Sequence, residues 1–127
     1  MKNILSVAVA VTIGCGLMAP SVKADGVGQA ICGYVASDHK SRLRDQLRAN
    51  KIKLKKIYSS MKCNDMSLLR FAMHNNADKA GAFMAKRISA SLLSAAESDG
   101  KTVLQWASEN GKDSSATVSA IKKRLKM

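Results

Sequence analysis

The residues of this sequence whose types could do chemistry are few: Cys32 and Cys63, His39 and His74, and Ser67 with Asp38. Two thiols and two imidazoles make up a zinc ligand set, but their spacings match no standard pattern. In an oxidising compartment the same thiols pair as a disulfide, which is the expectation for Cys32 and Cys63. A redox-active pair is disfavoured, because no Cys-x-x-Cys is present. Asp38-His39 and Ser67 supply a carboxylate, an imidazole and a hydroxyl, yet no nucleophile elbow, paired carboxylates or phosphate loop accompanies them. The expectation is a protein without catalytic residues, metal or cofactor.

Charge is the stronger signal. Within residues 42–62 eight Arg and Lys residues are offset by Asp45 alone, so this stretch is not a salt-bridged mixture of signs. Arg42, Arg44, Arg48, Lys51, Lys53, Lys55 and Lys56 form the candidate surface for an anion or an acidic partner. The competing reading is a solvated helix face. Lys122, Lys123, Arg124 and Lys126 form a second basic cluster, where cations also complement the partial negative charge of a helix end. A cationic amphipathic helix lying on an anionic membrane is a rival use of residues 42–62.

At 127 residues there is room for one domain, and 46% hydrophobic content excludes a wholly disordered chain. The first segment reads as an export signal, with Lys2 ahead of an apolar run over 4–18 and Val22-Lys23-Ala24 as a small-x-small cleavage site. That run, about 15 residues, is shorter than the roughly 20 a membrane span needs, so no transmembrane segment is expected after processing. Cys15 follows Thr12-Ile13-Gly14, a poor lipobox. Without the signal, 19 basic residues stand against 9 acidic ones, a net charge of +10. Such a charge steers a protein toward acidic proteins, anionic polymers and anionic lipid surfaces. Export removes the chromosome from reach, so nucleic acid is not an expected partner. A periplasmic or secreted location in a bacterium follows, after cleavage near Ala24.

The elements that must position these charges read as short helices. Residues 28–36 carry Ile31, Tyr34 and Val35, and Ser37 or Asp38 is placed to cap the next helix. That helix, with Leu43 and Leu47 on one face, ends near Asn50. Residues 51–57 either continue it, adding Leu54, Ile57, Tyr58 and Met61 to the face with Ile52 out of place, or form an extended connection. After Cys63, Ser67 caps a helix to Asn75, Asn75-Asn76 turns, and Asp78 caps a helix carrying Ala80, Phe83, Met84 and Ile88. Gly81 weakens that helix by up to about 1 kcal/mol relative to Ala, a sign of close packing against a neighbour. Leu92 and Leu93 make residues 89–98 a packed short helix. Thr102 caps residues 103–109, Asn110-Gly111 supplies a left-handed turn, and Asp113 or Ser114 caps a final helix with Val118, Ile121 and Leu125 on one face. Phe71, Phe83 and Trp106 read as core anchors, and Met66, Met73 and Met84 as gap-filling core.

The later units are copies of one plan. Leu69 and Leu104, Phe71 and Trp106, Ala72 and Ala107, and Asn75 and Asn110 match at one offset of 35 residues, a size typical of helical-pair repeats. Gly100, Thr102, Leu104, Ala107, Asn110 and Gly111 resemble the ankyrin repeat, with Val103 where Pro is usual and Gln105 where His is usual. In the first copy Ser67, Leu69, Ala72 and Asn75 match, while Asp65 and Asn76 replace two glycines. This resemblance implies a binding scaffold of helix-turn-helix units. Residues 32–88 carry Arg42-Leu43-Arg44, Lys53-Leu54-Lys55, Ile57-Tyr58, Cys63-Asn64 and Ser67-Leu68-Leu69-Arg70-Phe71-Ala72. They resemble a family of small exported bacterial proteins known only as a domain of unknown function, which implies no activity and carries over no catalytic residue.

Together these readings give an all-α chain, with a signal peptide over 1–24 and a single helical domain over 25–127. The domain is expected to be about three stacked antiparallel helix pairs, ankyrin-like, in units of about 25–62, 63–98 and 99–127, with one disulfide. Its expected role is a non-enzymatic binding module whose basic surface meets an acidic envelope protein or an anionic envelope polymer or lipid surface. A membrane-active cationic protein and an enzyme of unrecognised type are the alternatives.

Overall fold

The computed structural model describes residues 19–127, with side chains from Gly26 onward, and the apolar run 4–18 with Cys15 lies outside the described residues. Among the described residues there are eight helices and no strand: α1 Ala19–Ala36, α2 Lys40–Ala49, α3 Leu54–Ile57, α4 Leu68–His74, α5 Asp78–Arg87, α6 Ala90–Ser94, α7 Val103–Glu109 and α8 Ala116–Arg124. α1 begins ahead of the expected processing point at Ala24 and runs without a break through residues 28–36. No helix among the described residues is long and apolar enough to cross a membrane.

Three helix pairs, α1/α2, α4/α5 and α7/α8, are joined by the same turn. Just past each first helix lies a residue with left-handed backbone: Asp38 (φ 60°), Asn76 (φ 55°) and Gly111 (φ 70°). The residue after it returns its N–H to a carbonyl in the last helical turn, His39 to Tyr34 at 2.9 Å, Ala77 to Ala72 at 2.8 Å and Lys112 to Ala107 at 2.8 Å. This Schellman closure satisfies carbonyls that a helix end leaves orphaned. Asn and Asp tolerate the left-handed geometry better than other side chains, so they can stand where Gly is otherwise needed. The Asn75 and Asn110 side chains then add identical bonds, each Nδ2 donating at 2.8 Å to the carbonyl of Phe71 or Trp106. α4 and α7 coincide residue for residue at the offset of 35.

The helix starts depart from the expected caps. His39, not Ser37 or Asp38, is the N-cap of α2, and Ala77, not Asp78, is the N-cap of α5; neither makes a side-chain cap bond. In these two pairs the residue that falls at the N-cap has no side chain that bonds the start of its own helix. Instead Asp38 Oδ1 accepts from the Ala80 N–H at 2.7 Å, so a carboxylate in the first turn satisfies the start of α5 in the neighbouring pair. Ser67 does occupy the N-cap of α4, but its buried hydroxyl makes no cap bond and lies against Tyr58 instead. Thr102 caps α7 as expected and forms a reciprocal capping box with Gln105. α8 starts later than expected, with Ser115 in place of Asp113 or Ser114 accepting from the Val118 N–H at 3.2 Å.

α5 lies at the centre, packed on α8, α4 and α2. Its crossing with α8 depends on Gly81, because a Cβ there would overlap Thr117 Oγ1, and the close approach read from the sequence is real. Phe71, Phe83, Met73 and Met84 are buried in the core, whereas Trp106 is half-buried at its edge. α6, begun by a Ser89 cap, buries Leu93 completely. The Cys32–Cys63 disulfide staples α1 to the segment entering α4. Beyond Cys63, Asn64 (φ 51°) and Asp65 (φ 64°) form a tight turn closed by paired bonds between Cys63 and Met66 at 2.8 and 2.9 Å.

Candidate functional site

Two constellations of charge stand apart from the rest. The first is centred on a buried guanidinium and closed on itself. Arg70 on α4 is 8% exposed, and its guanidinium takes Asp99 bidentately, Nη1 donating to Oδ2 at 2.7 Å and Nη2 to Oδ1 at 2.9 Å. Nη2 also donates to the Lys101 carbonyl at 3.0 Å. Nε lies 2.7 Å from Glu97 Oε1, a charge contact without hydrogen-bond alignment. The Tyr58 hydroxyl donates to the other Glu97 oxygen at 2.6 Å, and Trp106 lies under the guanidinium at 5.8 Å. The Arg70 bonds hold the Asp99 carboxyl well below the usual carboxylate range, and burial, reinforced by Glu97, pushes the Tyr58 phenol far above its usual range. Its side-chain hydrogen bonds run within the cluster and to the Lys101 backbone, so it serves to pin the 95–102 connection onto α4.

The second constellation is open. α2 ends in its own Schellman closure, with Lys51 left-handed (φ 54°) and the Ile52 N–H returned to the Leu47 carbonyl at 2.9 Å. Lys53 is then extended and leads into α3. α2 and α5 coincide residue for residue at an offset of 38, so the two helices are of equal length. Between their C-terminal ends and the start of α3 lies a cleft of about 380 Å³ lined by Arg44, Arg48, Lys53, Lys55, Lys86 and Arg87 over a floor of Leu47, Ile52 and Leu54. None of its lining residues is acidic, and none of the six cations forms an ion pair among the described residues. Arg44 Nε is buried with no hydrogen-bond partner. Arg87 is held in place by its stacking over Phe83, 4.7 Å from the ring centre.

Of the cations singled out in the sequence, Arg44, Arg48, Lys53 and Lys55 line this cleft, while Arg42, Lys51 and Lys56 are exposed outside it. Lys86 and Arg87 were missed, because they lie far along the chain and only the side-by-side packing of α2 and α5 brings them in. The signal was the basic end of a second helix matching the first in length. In the second cluster Lys122, Lys123 and Lys126 are exposed, and Arg124 is used structurally, its Nη2 donating to the Ile88 carbonyl at the end of α5 at 2.6 Å. His39 and His74 are exposed and do not line the cleft, and the disulfide takes both thiols of the zinc set considered above.

The apolar face of residues 43–61 is not one helix. α2 stops at Ala49 with Asn50 as its cap, and α3 is a separate short turn of helix. Leu43, Leu47, Leu54 and Tyr58 are buried, with Ile57 and Met61 partly so. No curated protein and no solved structure matches the chain at a level that would mark relatedness. A family model described as Protein of unknown function (DUF3718) matches residues 31–95, just over half of the chain and the whole of the cleft, and the chain belongs to that family.

Proposed function

We propose that the protein is an exported, non-catalytic binding module that uses the cleft between α2, α3 and α5 to hold the anionic groups of an acidic envelope protein or an anionic envelope polymer or lipid. The observation that carries this reading is the convergence of six cations from three helices without one carboxylate among them, Arg44 Nε being buried and unpartnered. Burying such a donor costs free energy that an anion in the cleft would recover. A disulfide and the net positive charge of the chain fit an exported protein acting on anionic surfaces. The ankyrin-type resemblance of the repeated units in the sequence implies a binding scaffold and so favours recognition over catalysis. Burial of Leu43 and Leu47 in the core favours a surface that stays folded over a helix that inserts into a membrane.

The test is salt-dependent retention of the disulfide-bonded protein on immobilised polyphosphate and on vesicles of anionic phospholipid. Retention should fall as salt rises, and the triple variant Arg44→Gln, Arg48→Gln, Lys86→Gln should lose most of it. Arg42→Gln with Lys56→Gln, outside the cleft, should lose little. Equal losses in the two variants would leave only unspecific charge and defeat the reading. Leakage of vesicle contents would favour the membrane-active alternative.

A further inference from the structure

Ile52, the residue out of place in the basic stretch, lines two cavities at once. On one side it forms part of the floor of the cationic cleft. On the other it opens an apolar trough of about 710 Å³ between α1 and the α3 region, walled by Val27, Ile31, Ile57, Met61, Phe71 and the Cys32–Cys63 disulfide. The trough lies within the size range of small-molecule sites, and a largely apolar lining beside convergent charges is their usual chemistry. Gly28 contributes to its width, since a Cβ there would meet only Met61 Cε, at 3.8 Å.

From this adjacency we infer that the occupant is a single anionic phospholipid, its phosphate in the cleft among Arg44, Arg48, Lys53 and Lys86 and its acyl chain crossing Ile52 into the trough. The inference rests on the anion-binding reading above and adds the acyl subsite. Charge complementarity selects the headgroup, because six cations with no acid between them favour a phosphate over a zwitterion. The trough selects the tail, because a chain leaving the phosphate past Ile52 meets mostly apolar walls, with Gln29, Ser60, Lys62 and Asn64 the polar residues among its lining. Ile52 is thereby explained as the step between headgroup and tail.

The test is calorimetric titration of the disulfide-bonded full chain with dihexanoylphosphatidic acid below its micelle concentration, with glycerol 3-phosphate, and with dihexanoylphosphatidylcholine. Phosphatidic acid should bind tighter than glycerol phosphate by about tenfold or more, the equivalent of burying roughly two methylenes. It should also bind tighter than the phosphatidylcholine. Arg44→Gln with Arg48→Gln should weaken both phosphate ligands. Gly28→Phe, which fills the trough, should weaken phosphatidic acid alone, and Met61→Glu should do the same should Gly28→Phe unfold the chain. Equal binding of phosphatidic acid and glycerol phosphate would overturn the acyl subsite and leave the anion site standing, whereas no binding of either would overturn both. Equal binding of the phosphatidylcholine would overturn the headgroup assignment. Self-association abolished by Gly28→Phe would assign the trough to a second copy of the chain and overturn the inference.

Discussion

Arg70 and Asp99 meet fork to fork, Nη1 and Nη2 at 2.7 and 2.9 Å from the two carboxylate oxygens, and so tie α4 to the connection that leads into α7. The two acids around the guanidinium differ in exposure: the Glu97 side chain is 10% exposed and that of Asp99 is 44%. Removing Arg70 therefore strands Glu97 in particular, with only Tyr58 left to it. Arg70→Met is expected to cost about 3–5 kcal/mol in urea unfolding, the range for breaking one side of a buried pair. Asp99→Asn should cost much less, and Arg70→Lys should fall between, since it keeps the charge and loses the planar fork. An Arg70→Met variant as stable as the parent would remove the cluster's structural role.

The same cluster contributes to the pH dependence of stability. Asp99 has a folded pKa below its unfolded one, so its contribution to stability is present above the usual carboxylate range and is lost as pH falls below it. Tyr58 runs the other way, its folded pKa raised, so stability declines once pH rises past the ordinary phenol value of about 10. Urea midpoints measured across pH should show both limbs. Asp99→Asn should flatten the acid limb and Tyr58→Phe the alkaline one, and an acid limb unchanged in Asp99→Asn would place the dependence elsewhere.

Legibility of the sequence followed the range of the interactions. The turns could be read because left-handed backbone restricts residue type, so Asn76 and Gly111 announced themselves at the right spacing. Asp38 takes the same conformation but was read as a local cap, and its bond to Ala80 crosses from one pair to the next. The disulfide was legible from compartment and number alone. Arg70 carried a signal that went unused: an Arg within Leu68-Leu69-Arg70-Phe71-Ala72-Met73 has to bury its charge against partners, but nothing local identifies Glu97 and Asp99 as those partners. The cleft was half legible for the same reason, its α2 and α3 cations being contiguous and its α5 cations not.

Reduction of Cys32–Cys63 tests how far the small helical stack depends on its staple. Closing a loop with a sequence separation of 31 residues is worth about 3 to 4 kcal/mol in the chain-entropy model. The urea midpoint should drop by the corresponding amount with reductant, and Cys32→Ser with Cys63→Ser should match the reduced protein. A midpoint indifferent to reductant would show that the packing of α1 on α2 and α4 is sufficient by itself.

Gly81→Ala sets two effects against each other. Alanine is the better helix former by roughly 1 kcal/mol, but its Cβ would overlap Thr117 Oγ1 at the α5–α8 crossing. Overpacking of this kind costs about 1–3 kcal/mol, and with Thr117 fully buried the clash should win. Thr117→Ala removes the offending Oγ1, which has no hydrogen-bond partner, and leaves the Thr117 Cβ at 3.1 Å. The double variant should accordingly recover part of the loss, and simple additivity of the two changes would locate the strain somewhere other than this contact.

Asp38 does two jobs that separate by substitution. Its backbone is left-handed (φ 60°) and its carboxylate accepts from the Ala80 N–H at 2.7 Å. Asp38→Asn keeps both the tolerance for that backbone and an oxygen acceptor, so it should be nearly neutral. Asp38→Gly keeps the backbone and loses the acceptor, and should cost about 0.5–2 kcal/mol, the usual worth of a helix cap. Asp38→Ala loses the acceptor and adds left-handed strain, so it should be the worst of the three by about 1 kcal/mol or more beyond Asp38→Gly. The order Asn, Gly, Ala in urea midpoint checks both roles. Hydrogen exchange at Ala80 supplies the local readout: its amide should exchange faster in Asp38→Gly and Asp38→Ala than in Asp38→Asn, and equal protection in all three would mean that the carboxylate is not what holds the start of α5.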